Sequence, residues 1–149
     1  MSYLVDTNIL SELAKSKPDA QVVSWLRDHE EELYVSAITI GELRRGIERL
    51  PSGKRKTGLQ SWLNDLCGLM EGRILSFNAS TVHVWGQILA KCEKKGVTLP
   101  SLDSQMAATA HRHGLTIVTR NITDFQSAGV KVLNPLSPKS GAELKFDIR

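Results

Sequence analysis

The sequence predicts a three-layer α/β domain with a mostly parallel central sheet. Apolar or β-branched runs alternate with helical stretches along nearly the whole chain, as βαβ units require. Strands in that arrangement are covered on both faces, which suits the short apolar run at residues 2–6. The 149 residues fit one compact domain whose interior is large enough to need no covalent staple.

Each element has its own signal. Residues 2–6 end in an acid and read as a central strand, followed by a helical stretch from Thr7 to about Lys15. Pro18 suits the first turn of a second helix, with Val22, Val23, Trp25 and Leu26 on its buried side. Residues 33–37 read as the second strand. Ile40, Leu43, Ile47 and Leu50 then recur at helical spacing until Pro51 stops them. Residues 52–58 read as a polar, basic turn, and Leu59, Trp62, Leu63, Leu66, Leu69 and Met70 as the next helix, stopped near Gly72. Residues 73–77 are a short third strand. Val82, Trp85, Ile88, Leu89 and Cys92 mark a helix ending before Gly96. Ser101 stands as the N-cap of another helix, which Gly114 closes. Residues 115–119 are the clearest strand, β-branched throughout most of their length, and residues 130–133 are the last. The expected organisation is one domain over residues 1–136 and a polar tail over 137–149.

Composition removes several classes of function. No apolar run approaches the length of a membrane span, and the first residues lack the basic start of an export signal. A soluble, cytoplasmic protein is expected. Cys67 and Cys92 sit in amphipathic helical patterns without CxxC spacing and read as buried thiols. The four histidines have no zinc-ligand context. No P-loop or GxGxxG is present. The net charge of +3 is mild, but basic residues cluster at Arg44, Arg45, Lys54, Arg55 and Lys56, and at Lys91, Lys94 and Lys95. Such runs are usually solvated helix faces; they also suit contact with phosphates.

The acids, by contrast, stand singly at the ends of apolar segments. Asp6 follows the first strand, Glu42 lies near the start of the helix after the second, Asp103 in the first turn of a helix, and Asp124 after the strand at 115–119. In open parallel sheets, sites form beyond the carboxyl ends of the strands. All four acids are therefore expected at one rim. Two carboxylates about 4 Å apart repel by about 4 kcal/mol at an effective dielectric near 20. Protons or a cation must neutralise such a group, and hard oxygen ligands suit Mg²⁺ or Mn²⁺. Singly, each acid has a plainer reading: a helix cap for Asp6 or Asp103, a surface residue for Glu42, a turn former for Asp124.

The local contexts go further. Residues 4–10 (Leu-Val-Asp-Thr-Asn-Ile-Leu), 36–46 (Ser-Ala-Ile-Thr-Ile-Gly-Glu-Leu-Arg-Arg-Gly), 102–110 (Leu-Asp-Ser-Gln-Met-Ala-Ala-Thr-Ala) and 119–125 (Thr-Arg-Asn-Ile-Thr-Asp-Phe) follow one another in order. This set resembles the signature segments of PIN-domain ribonucleases, most closely the VapC-type toxins of bacterial toxin–antitoxin pairs, including the FitB-like branch. The resemblance spans residue 3 to about Pro135. It implies a PIN-like α/β/α fold and a metal-dependent endoribonuclease that leaves a 5′ phosphate and a 3′ hydroxyl. Asp6 and Asp103 would be the main metal ligands and Glu42 the third acid. The fourth position stays open between Asp124 and Asn121, because some members have Asp where this chain has Asn121. Thr7, Asn8, Thr119 and Asn121 would orient the ligands. Arg44, Arg45, Lys54, Arg55, Lys56 and Arg120 are candidates for the RNA backbone. The resemblance also implies single-stranded regions of structured RNA, such as transfer RNA, as substrate. A homodimer, a VapB-type antitoxin, and DNA contact only through that antitoxin complete the expectation.

Rival readings use the same acids. A phosphoaspartate phosphatase would want Asp at position 8, where Asn8 stands. A receiver module would want paired acids near the first strand and a lysine after a late one. A PIN-like module that binds a partner without cleaving would keep the fold and lack acid-dependent hydrolysis.

Overall fold

In a computed structural model that describes residues 1–136, strands and helices alternate from end to end. The order is β1 (Tyr3–Val5), α1 (Thr7–Leu10), α2 (Ala20–Asp28), β2 (Leu33–Ser36), α3 (Ala37–Glu48), α4 (Lys54–Leu69), β3 (Ile74–Leu75), α5 (Ala79–Lys94), α6 (Ser101–His113), β4 (Thr116–Val118), α7 (Ile122–Gln126) and β5 (Val132–Leu133). Short 3₁₀ turns follow α1 at Ser11–Ala14 and precede β2 at Glu30–Glu32. The expected tail, 137–149, lies outside the described residues.

The five strands pair in the order β3-β2-β1-β4-β5, and every pairing is parallel. The mostly parallel sheet expected from sequence is thus wholly parallel. The chain winds outward from β1 through β2 to β3, then returns to lay β4 against the other side of β1. That reversal puts the carboxyl ends of β1 and β4 side by side, with Val5 opposite Val118.

Two cores follow from the period-two alternation of a strand. Val5, Val35 and Val118 point to one face, beneath Ile9, Val22, Leu26, Leu43, Leu63 and Leu66. Leu4, Ile117 and Val132 point to the other, beneath Ile88, Met106, Ala107, Ala110 and Phe125. Helices α1 to α4 cover the first face and α5 to α7 the second, giving the three layers expected. Helices α5 and α6 are joined at their polar seam: Trp85 Nε1 donates to Ser104 Oγ (2.8 Å), which donates to the Ser101 carbonyl (2.6 Å).

Several boundaries differ from expectation. Helix α2 begins after Asp19, whose carboxylate accepts from the Gln21 and Val22 amides, so Pro18 precedes the helix. Ser101 is the first helical residue and Pro100 occupies the cap position. The basic turn is largely helical, because α4 already begins at Lys54. The α-helix after β1 is only four residues long before the chain tightens to 3₁₀. Gly114 closes α6 as expected, in the left-handed conformation (φ 65°, ψ 37°) that disfavours a side chain. Cys67 and Cys92 are free thiols. No helix of the described residues is long and apolar enough to cross a membrane.

Phe125 is fully buried and anchors the short helix α7. Phe125→Ala should cost about 3–5 kcal/mol, as deletion of a core aromatic does, measured as a loss of stability in urea titration.

Candidate active site

Asp6 is the first residue beyond β1, and the sheet aims it. Its amide donates to the Val118 carbonyl (2.9 Å), prolonging the β1–β4 ladder by one bond. Its carboxylate caps α1, accepting from the Thr7 amide at 2.7 Å through Oδ1. The other oxygen, Oδ2, accepts from the Thr119 hydroxyl at 2.8 Å. Thr119 is the first residue beyond β4 and is fully buried. Its hydroxyl in turn accepts from the Asn121 amide (3.0 Å) and the Asn8 Nδ2 (3.4 Å). Asn8 Oδ1 accepts from the Arg120 amide at 3.3 Å, so Asn8 bridges the turns after β1 and β4.

The other acids arrive from three helices. Glu42 stands in the second turn of α3, where Thr7 Oγ1 donates to its Oε1 at 2.6 Å. Asp103 lies in the first turn of α6, with the positive end of the helix dipole behind it. Asp124 lies in the first turn of α7 and is exposed. It is therefore a helical residue rather than a loop residue.

Electrostatics shows that the four share one field. Burial pushes the Asp6 carboxyl up; the bonds from Thr119 and Thr7 pull it down, and the charges of Glu42 and Asp124 raise it again. Asp103 is pushed up to about 6, first by burial and then by the charges of Asp6, Asp124 and Glu42. Asn121 reaches the group only through its backbone, its amide bonding Thr119. Among the described residues, no three His, Cys, Asp or Glu side chains form a closed metal cage. The four acids feel one another's charge without gathering into a group of three that would hold a metal ion as they stand.

Two neighbours carry weight that the sequence did not reveal. Thr39 is fully buried beneath Thr7, with the two hydroxyl oxygens 3.4 Å apart, and donates to Met106 Sδ at 3.4 Å. Glu12 is buried among Lys15 (2.8 Å), the Asp19 amide (2.8 Å) and Arg120 (2.5 Å). The partner from Lys15, then that amide, hold its carboxyl at about 2. An acid at core spacing after Ile9 was the available signal for Glu12. Thr39 offers none, since a buried threonine looks like any other helical residue.

The basic candidates do not gather at the acids. Arg120 is engaged with Glu12. Arg44 pairs with Glu48 (3.2 Å) and Asn64 (3.3 Å), and Lys56 donates to the Glu48 carbonyl (3.1 Å). Arg45, Lys54 and Arg55 are exposed and, among the described residues, form no ion pair. Arg55 alone shares a groove with Glu42.

A family model described as PIN domain matches residues 3–131. The chain belongs to the PIN-domain family. It is 36% identical over 137 residues to the VapC ribonuclease Y4jK of Sinorhizobium fredii, covering 91% of this chain and 98% of that one. It is 39% identical over 134 residues to the toxin FitB of Neisseria gonorrhoeae, covering 89% and 96% respectively. Among solved structures, FitAB bound to an IR36 DNA fragment superposes with a TM-score of 0.85 at 36% identity, covering 89% of this chain and 94% of that chain.

The acid group of this PIN domain works against its own fold. A carboxyl whose folded pKa is raised binds protons more tightly in the native state, so its contribution falls as pH rises from about 4 toward 6. In metal-free protein, Asp103→Asn should therefore raise Tm at pH 7–8. A relief on the order of 1 kcal/mol would appear as about 2–4 °C. The gain should vanish below about pH 4, where the wild-type carboxyl is already protonated in both states; thermal melts across that range check it.

Proposed function

We propose that the protein is an endoribonuclease that hydrolyses RNA phosphodiester bonds with Mg²⁺ or Mn²⁺, and that it is the toxin of a type II toxin–antitoxin pair. The observation that carries this reading is the convergence of Asp6, Glu42, Asp103 and Asp124 at the β1–β4 switch point. It occurs within a PIN domain akin over nearly its whole length to proteins named ribonuclease and toxin.

Asp6, Asp103 and Glu42 would hold the cation, with Asp124 as the fourth acid. The donor set fits: it is all oxygen, and its mutual repulsion is what a hard cation relieves. When bound, such an ion lowers the pKa of a coordinated water and offsets charge on the scissile phosphate. The chain's part is to keep its carboxylates charged and oriented. Thr119 and the Thr7 amide hold both Asp6 oxygens against the pull of burial. The Thr7 hydroxyl orients Glu42. Asn8 and Asn121 fix Thr119 itself.

The substrate in this reading is structured RNA such as transfer RNA, cut in a single-stranded region, in the cytoplasm. A cognate VapB-type antitoxin would neutralise the enzyme, which works as a homodimer and reaches DNA only through that antitoxin. The FitAB assembly on DNA supports this part. So does an apolar groove of about 250 Å³ between α2 and α4, beside the exposed Leu69, which suits a protein partner.

Purified protein with a structured RNA and Mg²⁺ or Mn²⁺ should yield new 5′-phosphate ends, and chelation should abolish them. Asp6→Asn should lower kcat at least ~100-fold, about 2.7 kcal/mol of barrier. Undiminished cleavage by that variant would refute the site. Thr119→Val should fold normally yet lose about 10–100-fold, the usual effect of removing a ligand-orienting group; single-turnover rates beside circular dichroism check both halves.

A further inference from the structure

A groove of about 320 Å³ leads away from the acids between α1, α3 and α4. Its lining joins Thr7 and Glu42 of the acid site with the apolar Leu43, Ile47 and Trp62 and the basic Lys15 and Arg55. Its volume reaches the range of about 300–1,000 Å³ typical of small-molecule sites. The groove thus combines one acid of the site, an apolar surface and two cations in a single lining. Arg55 is exposed and without an ion pair among the described residues, and Lys15 shares its charge with Glu12.

We propose that this groove is a nucleobase subsite. It takes one unpaired nucleoside next to the scissile phosphate, its base lying on Trp62 and the aliphatic floor, and the following phosphate meets Arg55. This rests on the ribonuclease reading above. A phosphate gains nothing from an apolar floor, whereas a base gains stacking and burial there, and the cation beyond it matches the backbone that must follow. A base held in a duplex cannot enter, so the groove selects single strands by shape.

Gly46 makes the test clean. It lines the groove, and a Cβ built on it meets nothing within 4 Å. Gly46→Leu thus fills the space while improving the helix propensity of α3. Its KM for a single-stranded oligoribonucleotide should rise about tenfold or more with kcat little changed, in the range of one lost stacking contact. Anisotropy with the same labelled oligonucleotide and chelated protein should show matching weakening. An abasic nucleotide at one position beside the cut should cost the wild type as much, and the variant nothing further. Arg55→Ala should lower the slope of log affinity against log salt by about 0.7. Unchanged KM, affinity and salt slope would overturn the proposal. So would a variant that loses a co-expressed protein partner but keeps its RNA parameters, since the groove would then belong to the protein. Asp6→Asn runs in parallel: its full activity would overturn the underlying reading, whereas its inactivity beside an unaffected Gly46→Leu overturns the groove alone.

Discussion

The candidate site depends on one hydrogen bond between neighbouring strand ends, from the Thr119 hydroxyl to the Asp6 carboxylate. A buried carboxylate is costly, and burial is the largest influence on Asp6, which is 6% exposed. A fixed donor on each oxygen offsets part of that cost. One donor, the Thr7 amide, comes free with helix capping. The other exists only because β4 lies parallel to β1 with Val5 opposite Val118, so that the next residue of each strand meets the other. The strand order therefore places the chemistry: move β4 to another edge and Asp6 loses its second support.

The turns around that bond are tied down from beneath. Arg120 follows Thr119, and its guanidinium meets Glu12 from the 3₁₀ turn after α1, while its amide meets Asn8. These contacts lock together the two segments that support Asp6. The arginine is held imperfectly, since its Nε is buried with no partner among the described residues.

Much of this was legible in the chain. The alternation of strands and helices, the capping glycine at 114 and the four acids at strand or helix ends all follow from local rules that act over a few residues. Strand order did not, because each apolar run is compatible with any neighbour in a parallel sheet. Helix α7 escaped notice because five residues are too few to display a period, and only Phe125 in it is buried. The start of α4 was hidden because Lys54, Arg55 and Lys56 contain no apolar residue to mark a face. The acids were each ambiguous for a real reason. Asp6 is the helix cap that its position suggests, and the same bond that caps the helix favours its charged form.

The four acids are not held alike, and the gradient has a direction. Asp6 is buried and doubly bonded; Glu42 is half-buried and bonded once, by Thr7; Asp103 is half-buried and rests on a helix terminus; Asp124 is exposed on a five-residue helix. Rigid support is thus concentrated at the sheet and declines toward solvent. Like charges gathered this way oppose folding, so the two apolar cores on either side of the sheet must supply the compensating stability. Such a cluster is tolerable because it lies at the rim, where only its innermost member gives up most of its water. A site for a large anionic polymer needs that same compromise. In the proposed role its deepest acid is the immobile one, while the outer acids stay open to solvent, Glu42 among the residues lining the groove.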